Sequence, residues 1–395
     1  MLDFIKSFSR DNFQLDIVGF LAILGEGSLE PIAQVATLSH FVYLPRLLPA
    51  PQVFIRPSRP EKLEGVSTVK VVGIESGNTA TEIHHVAHAL HRGDKLPHNS
   101  VKLVRVREKD ELPRPSVRTL GPLTALALLG FSMSAALFGL SIYYNDGMAL
   151  LATIFLSLLG TLTGWSNKWH PTPNAPKPDP NSPPGNVVIR YPQGAFIVVL
   201  CDERTARYLY FNPSEKCVYT ISSGPTYRLL SLVGTLLLMG GVICLANSGI
   251  ELQSGFAASY MLLNIFYWIV AALPPARHWD LSRLEVSEIN VQGGFPTEGR
   301  DDATTPTTYT EALWKAIAIT GFTGWVKEGV LAPKTPAWEE WLIEAKEAAN
   351  REKIERSPAF NSNTGNQMET WSIPSWDAKG ALGNLLQTEK KANPV

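Results

Sequence analysis

Apolar and polar positions are sharply segregated along this chain. Four runs, Leu120–Tyr143, Met148–Trp165, Leu229–Ala246 and Phe256–Leu273, contain no charged side chain, and each reaches at least 18 residues. At about 1.5 Å of rise per residue, an 18-residue helix spans about 27 Å, enough for a thin hydrocarbon core. A charge near the centre of such a helix costs roughly 2.5–3.5 kcal/mol, which accounts for the clean exclusion. One run alone fits a buried helix of a soluble domain equally well. Four of them in two tight pairs favour transmembrane helices. The pattern predicts a membrane all-α bundle of four transmembrane helices, with the lipid bilayer as its first partner.

The runs form two hairpins, joined by YNDG (Tyr144–Gly147) and by NSGIELQSG (Asn247–Gly255), and neither connector carries a basic residue. The opposite flanks carry Lys102, Arg105, Arg107, Lys109, Arg114, Arg118, Lys168, Arg228, Arg277 and Arg283. Basic flanks stay on the cytoplasmic side, so both termini and the middle segment are expected there. The absence of an N-x-S/T sequon agrees with how little chain reaches the far side. Spans this short point to the endoplasmic reticulum over the plasma membrane. FQLDIVGFLAILG (Phe13–Gly25) and PIAQVATLSHFVYL (Pro31–Leu44) are apolar but too short to span, and read as interfacial or re-entrant helices. Pro45–Pro60 holds five prolines and reads as an extended linker.

Outside the runs the periodicity changes. VKVVGI (Val69–Ile74), a histidine-rich helix and VKLVRVR (Val101–Arg107) read as one β-α-β unit, with Thr79 and Glu82 as a capping box and Gly93 ending the helix. VVIRY, the turn PQG and AFIVVLC (Ala195–Cys201) read as a β-hairpin. DERTARYLYF (Asp202–Phe211) begins a short helix. These pieces are too small for a core of their own and must dock on the other cytoplasmic parts. A helix over Tyr309–Val330 opens on Thr308 and Glu311. A second follows Thr335-Pro336, with Trp338, Trp341, Leu342, Ala345 and Ala349 on one stripe. From Ser357 onward the composition is polar and aperiodic, which predicts disorder.

The expected organisation is therefore interfacial helices and linker over 1–60, the β-α-β unit over 61–118, and a first transmembrane hairpin over 119–166. A cytoplasmic loop with its β-hairpin follows over 167–227, then a second transmembrane hairpin over 228–274. Cytoplasmic helices fill 275–356, and a disordered tail closes the chain over 357–395. The fold class is a four-helix membrane bundle with a small cytoplasmic α/β portion.

Charge and cysteine usage narrow the function. With 35 basic and 36 acidic residues, no basic footprint for nucleic acid is present. Cys201, Cys217 and Cys244 form no CxxC pair, which argues against a zinc knot or a disulfide framework. The candidate chemistry is EIHHVAHALHRGDKLPH (Glu82–His98), with five of the chain's eight histidines. On a helical wheel Ile83, Val86, Ala87 and Leu90 make the core face, and His84, His88 and His91 share a neighbouring arc at i, i+4 and i+7. That spacing suits a metal, but no HExxH or further ligand accompanies it, so a hydrated or partner-facing stripe is the preferred reading.

VVGIESGNTATEI resembles the strand-loop-helix that cradles the flavin phosphate in flavodoxins, yet Glu75 in the loop would repel a phosphate. A capped turn is expected instead. Cys201-Asp202-Glu203 reads as a strand end entering a helix rather than as a nucleophile, and GxSxG, Walker A and GxGxxG are absent. No catalytic, cofactor-binding or metal-ligating residue is assigned, and no cofactor is expected. Gly160 and Gly164 form a GxxxG that suits close helix packing.

YPQGAFIVVLCDE, YRLLSLVGTLLLMGGVICLAN and NIFYWIVAALPPARHWDLS resemble stretches of a family of multi-pass membrane proteins from filamentous fungi. The resemblance covers about residues 100 to 285. It implies the topology and the source; the family has no assigned activity and so implies no site residues. The expected function is that of a non-catalytic adaptor or accessory factor whose cytoplasmic face binds a protein partner. The alternative is a membrane-bound enzyme or transporter in fungal metabolism. A transporter would show repeats, broken helices or intramembrane charges, which the four runs lack.

Overall fold

The computed structural model describes residues 26–61, 63, 65–109, 116–172, 183–211, 216–297, 302–352, 354–360 and 367–392. The apolar segment Phe13–Gly25 lies outside the described residues. In chain order the elements are α1 (Glu26–Leu29), α2 (Ala33–Ala36), β1 (Lys70–Gly73), β2 (Thr79–Ala80), α3 (His85–His91), β3 (Val101–Glu108) and β4 (Ser116–Val117). Then come α4 (Pro122–Tyr143), α5 (Gly147–Asn167), β5 (Trp169–Thr172), β6 (Val187–Arg190), β7 (Phe196–Leu200), α6 (Glu203–Ala206) and β8 (Lys216–Tyr219). The remainder is α7 (Gly224–Ala246), α8 (Ile250–Ala271), β9 (Trp279–Asp280), β10 (Leu284–Gly293), α9 (Tyr309–Thr320), α10 (Gly324–Glu328), α11 (Pro336–Arg351), β11 (Glu355–Phe360), β12 (Gln367–Ile373) and α12 (Ala378–Ala392). These elements sort into two units, each assembled from three stretches of chain.

The first unit comprises 1–62, 116–172 and 216–280. It contains α4, α5, α7 and α8, of 22, 21, 23 and 22 residues, all long and apolar enough to cross a membrane. Two of them, α4 and α5, match the expected runs closely, and α7 begins five residues before Leu229. The fourth begins at Ile250, six residues before the apolar run at Phe256, because the turn after α7 closes within Asn247–Gly249. Asp146 makes that compact turn possible: its carboxylate accepts from Met148 N and Ala149 N at 3.0 Å, capping α5, and from Gly249 N at 2.7 Å. The helices pack in the order α7–α5–α4–α8, so the two helices of the second hairpin rest on the first hairpin more than on each other.

The stretch expected to be an extended proline linker is instead folded into this bundle. Arg46, Leu47, Leu48 and Ala50 are all buried, and Leu47 belongs to the same core as Leu137, Leu156, Leu245 and Phe256. Room for its main chain comes from glycines. A Cβ on Gly130, Gly160 or Gly164 would fall closer than 3.0 Å to the carbonyl oxygens of Leu47, Arg46 and Val42 respectively. The GxxxG of α5 therefore admits a non-helical segment rather than a neighbouring helix. The expected middle loop over 167–227 is divided as well: β5 and β8 pair (Trp169↔Tyr219) within the first unit.

The second unit comprises 63–115, 173–215 and 281–395. Its centre is an eight-stranded mixed sheet in the order β11-β12-β10-β3-β7-β6-β1-β2. This corrects the expectation of a small α/β portion. The expected β-α-β unit is split: β1 and β3 run parallel but are separated by the hairpin β6–β7, registered at Val72↔Val188, Val188↔Val198 and Leu103↔Val198. Phe196 and Val198 face a core built with α9–α12, while Val71, Ile189, Ile197 and Val199 are equally buried and face the other way. Central strands covered on both faces read as continuous apolar runs, as VVGI and FIVVL do.

The C-terminal helix is shorter than expected. Thr308 and Glu311 form the capping box, but Gly321 adopts φ +71° and ends α9, and α10 follows as a separate turn. Where the tail is described, it forms regular structure. β12 pairs in parallel with β10 (Val291↔Trp371), β11 pairs with β12, and Trp371, Ile373, Ala378 and Leu382 enter the core. A few large side chains in a polar background anchor these elements, and a compositional average does not register them.

Candidate functional site

The histidine stretch does not form the expected helix. Thr79 and Ala80 pair with Val72 and Val71 as β2, and Ile83 bridges to Val66, so residues that would cap a helix are spent on the sheet. α3 has only seven residues and starts after His84, whose ψ of 142° is extended. His84 therefore leaves the arc that His88 and His91 share. The hydrated stripe is also corrected, since His84 and His91 are buried.

Two tyrosines receive the helical pair. His91 Nε2 lies 2.6 Å from Tyr210 Oη, with the rings stacked at 5.8 Å between centroids, and His88 Nδ1 lies 3.3 Å from Tyr191 Oη. Burial, with smaller contributions from Lys102 and His88, holds the His91 pKa down at about 3, so the imidazole is neutral at physiological pH. Burial likewise pushes the Tyr210 hydroxyl well above its ordinary range. A neutral imidazole and a neutral phenol share one proton in that bond, and the tautomer decides which atom donates. Gly93 is required for this packing: a Cβ there would collide with the ring of Tyr191. Among the described residues no three His, Cys, Asp or Glu side chains come close enough together to hold a metal ion. The tyrosines were hidden from sequence reasoning because more than 100 positions separate them from their histidines.

Cys201 is similarly withdrawn from chemistry. Its thiol donates to Gly185 O at 3.1 Å, and burial, then the nearby Asp202, Glu203 and Glu75, push its pKa well above the ordinary thiol value. A thiol so disfavoured as thiolate is a poor nucleophile.

A cavity of about 460 Å³ lies in the second unit at the carboxyl ends of the parallel strands β1 and β7, the edge where open α/β sheets place ligands. Val198, Leu200, Ile319 and Ala349 make its apolar floor, and Trp371 forms one wall. The rim is polar and exposed: Glu75, Asn350, Glu352 and Arg356. Asn186 Nδ2 donates to Glu75 Oε1 at 2.8 Å, and the Arg356 guanidinium lies 4.4 Å from the centre of the Trp371 ring. Glu75, the residue that spoils a phosphate loop, thus lines a cavity of another kind. Thr320 is committed to its own turn, its one hydroxyl proton shared between Ile317 O and Phe322 O while its oxygen accepts from Trp325 Nε1. The arrangement can hold an apolar group with a basic flank.

In the first unit several hydroxyls on the span helices turn inward. Ser134 bonds Ser157, while Ser141 and Thr153 donate to the carbonyls of Leu137 and Ala149 one turn back. Phe131, Leu158, Leu232, Leu236, Ile265 and Ile269 face outward. Arg46 is the charged group that the four runs lack. It enters the bundle on the wedged segment, and its guanidinium donates to Phe41 O at 2.9 Å. No protein-family model, curated protein or solved structure matches this chain at a significant level.

Proposed function

We propose that this chain is a multi-pass integral membrane protein acting as a non-catalytic adaptor or accessory factor, with both termini and the sheet unit on the cytoplasmic side. The membrane assignment is carried by four helices long and apolar enough to span, whose outward faces bear large apolar side chains while hydroxyls such as Ser134, Ser141 and Thr153 are buried, which suits lipid as solvent. The basic flanks and connectors without Lys or Arg support the orientation. The likeness to fungal multi-pass proteins supports the same topology, and helices of 21–23 residues are long enough for a bilayer of ordinary thickness.

The adaptor reading rests on the 460 Å³ cavity. Its apolar floor, tryptophan wall and charged rim suit an anchor residue from a partner protein, with Glu75 and Glu352 meeting a basic flank. An anchor is favoured over a conduit because the main chain of residues 42–48 lies against glycines of α4 and α5, with Val42, Arg46, Leu47 and Leu48 buried.

Alkaline carbonate should leave the chain in the membrane. An impermeant thiol reagent should reach Asp146→Cys and Ser254→Cys from the far side, and miss Asn350→Cys. A photo-cross-linker at Asn350 should then capture one partner species, and Ala349→Trp, which fills the floor, should abolish capture while the melting temperature is kept. Undiminished capture would refute the cavity as the docking point. One observation favours a membrane-bound enzyme instead: two carboxylates, Glu75 and Glu352, line one cavity, an arrangement that general acid–base chemistry can use. A small molecule retained by the purified chain and converted during incubation, but intact with Glu352→Gln, would promote that reading.

A further inference from the structure

A second cavity, about 300 Å³, lies in the span unit against the end of α5. Its walls are Leu38, His40, Tyr43, Val117, Lys168, Trp169 and His170. None is acidic, and three carry basic nitrogen. Lys168 follows the last residue of α5 and is only 6% exposed. Its ammonium donates to Leu38 O at 2.7 Å and to Ser39 O at 3.0 Å. An ammonium has three N–H groups, so these two carbonyls leave one for the cavity. Among the described residues Lys168 has no carboxylate partner, and burial lowers its pKa. A buried cation without a counter-charge is costly, and an anion in the cavity removes that cost.

Position along the helix identifies the anion. The same end of the bundle holds the starts of α4 and α7 and the ends of α5 and α8, where a bilayer changes from hydrocarbon to headgroups. Tyr43, 43% exposed, and Trp169, whose Nε1 donates to Gln34 O at 2.8 Å, are the aromatic residues that settle at that depth. His170 is held by the β5–β8 ladder opposite Val218, and both it and His40 are exposed on the cavity wall. The volume is at the small end of ligand sites, about 300–1,000 Å³.

We propose that this cavity binds the phosphate of an anionic phospholipid headgroup, with Lys168 as the buried cation and His40 and His170 as the outer donors. The proposal rests on the membrane reading above. Its ligand chemistry is a phosphate ester, which a bilayer lipid or a soluble phosphate could supply. The lipid is preferred because the cavity lies at the headgroup end of the spans.

The test uses the full chain purified in detergent, with native mass spectrometry and thermal melting. Phosphatidic acid should be retained at one per chain, at least tenfold over phosphatidylcholine of the same acyl composition, and should raise the melting temperature. H40A/H170A, which changes two exposed side chains, should cut that retention at least fivefold and leave the lipid-free melting temperature unchanged. Lys168→Gln should cut it further, and the double variant keeps the test valid if that chain does not fold. Equal retention of the two lipids, or retention indifferent to H40A/H170A, overturns the site. Millimolar inorganic phosphate that stabilises as much as phosphatidic acid overturns the lipid as its source. Release of the chain by alkaline carbonate is a different failure, that of the membrane reading itself.

Discussion

Gly160→Ala and Gly164→Ala test whether the 42–48 segment is a permanent part of the bundle. Each adds one methyl group to α5, and in an ordinary helix that change is favourable by up to about 1 kcal/mol. Here the added Cβ would fall closer than 3.0 Å to the carbonyl oxygen of Arg46 or of Val42. These are main-chain atoms, which cannot rotate away like the end of a side chain. The segment must back off, and Leu47, fully buried among Leu137, Leu156, Leu245 and Phe256, must move with it. Overpacking of this kind costs about 1–3 kcal/mol and more where the backbone is struck. At about 2–4 °C per kcal/mol, each substitution should lower the melting temperature of the detergent-purified chain by several degrees. Gly139 on α4 is the control, because nothing lies within 4 Å of a Cβ there and Gly139→Ala should be neutral or stabilising. A cysteine at Leu48 should become more reactive in the two α5 variants and not in the control. If all three glycine variants melt together, the segment is not wedged between the helices and its buried residues must be covered in some other way.

Other substitutions report on the remaining joints. Asp146→Ala removes the cap of α5 and the bond to Gly249 N, and should cost about 1–2 kcal/mol in thermal melting, with Asp146→Asn milder. Truncation after Ile354 removes Trp371, Ile373 and Leu382 from the sheet core, at roughly 1.5–3 kcal/mol each, so the remnant should be protease-sensitive throughout the sheet unit. A truncated chain as resistant as the full one would restore the disordered tail. His91→Phe keeps the ring against Tyr210 but orphans its hydroxyl, and should cost about 1–3 kcal/mol at pH 7. His91 also sets a pH dependence. Its pKa is about 3 in the folded chain against an ordinary 6.5, so protons bind the unfolded chain preferentially. The stability it contributes is complete above pH 6.5 and is lost as pH falls from 6.5 towards 3, by up to about 1.4 kcal/mol per unit. The His91→Phe variant should flatten that part of the melting-temperature profile, and an unchanged slope would refute the buried neutral imidazole.

What the sequence disclosed depends on the range of the forces involved. The four long helices were legible because burial in lipid acts on every residue of a run, leaving a signal about 18 residues long. The Thr308–Glu311 capping box and the Val187–Leu200 hairpin were legible because their partners lie within a few positions. The order of the sheet was not. β1 and β3 carry a local β-α-β pattern, and nothing near them announces that β6 and β7, whose partners in them lie about 95 to 120 positions away, pair between them. The tail was misjudged for a related reason, since Trp371 and Leu382 matter through the core they enter rather than through their neighbours. Of the histidines, the local amphipathic arc correctly grouped His88 with His91. It could not show that Thr79–Ala80 would leave for the sheet, or that two distant tyrosines would meet the ring nitrogens.

Arg46 brings charge into the bundle from outside the four apolar runs. A helix crossing lipid has spent its main-chain carbonyls on its own N–H groups, so a charged side chain on it must find solvation elsewhere. Runs selected for length are therefore runs without charge. A short irregular segment has the opposite property: its carbonyls are free of a helical ladder, and Phe41 O is within 2.9 Å of the Arg46 guanidinium on the same segment. The segment thus brings part of the solvation its own charge requires, and glycines at 130, 160 and 164 supply the space. Lys168, bound to the carbonyls of Leu38 and Ser39 from the same N-terminal stretch, is solved in the same way. Polar main chain supplied by residues 38–48 is what lets two buried cations sit in a unit whose helices carry almost none, and a hydropathy window scores that stretch as nothing more than a short apolar run followed by prolines.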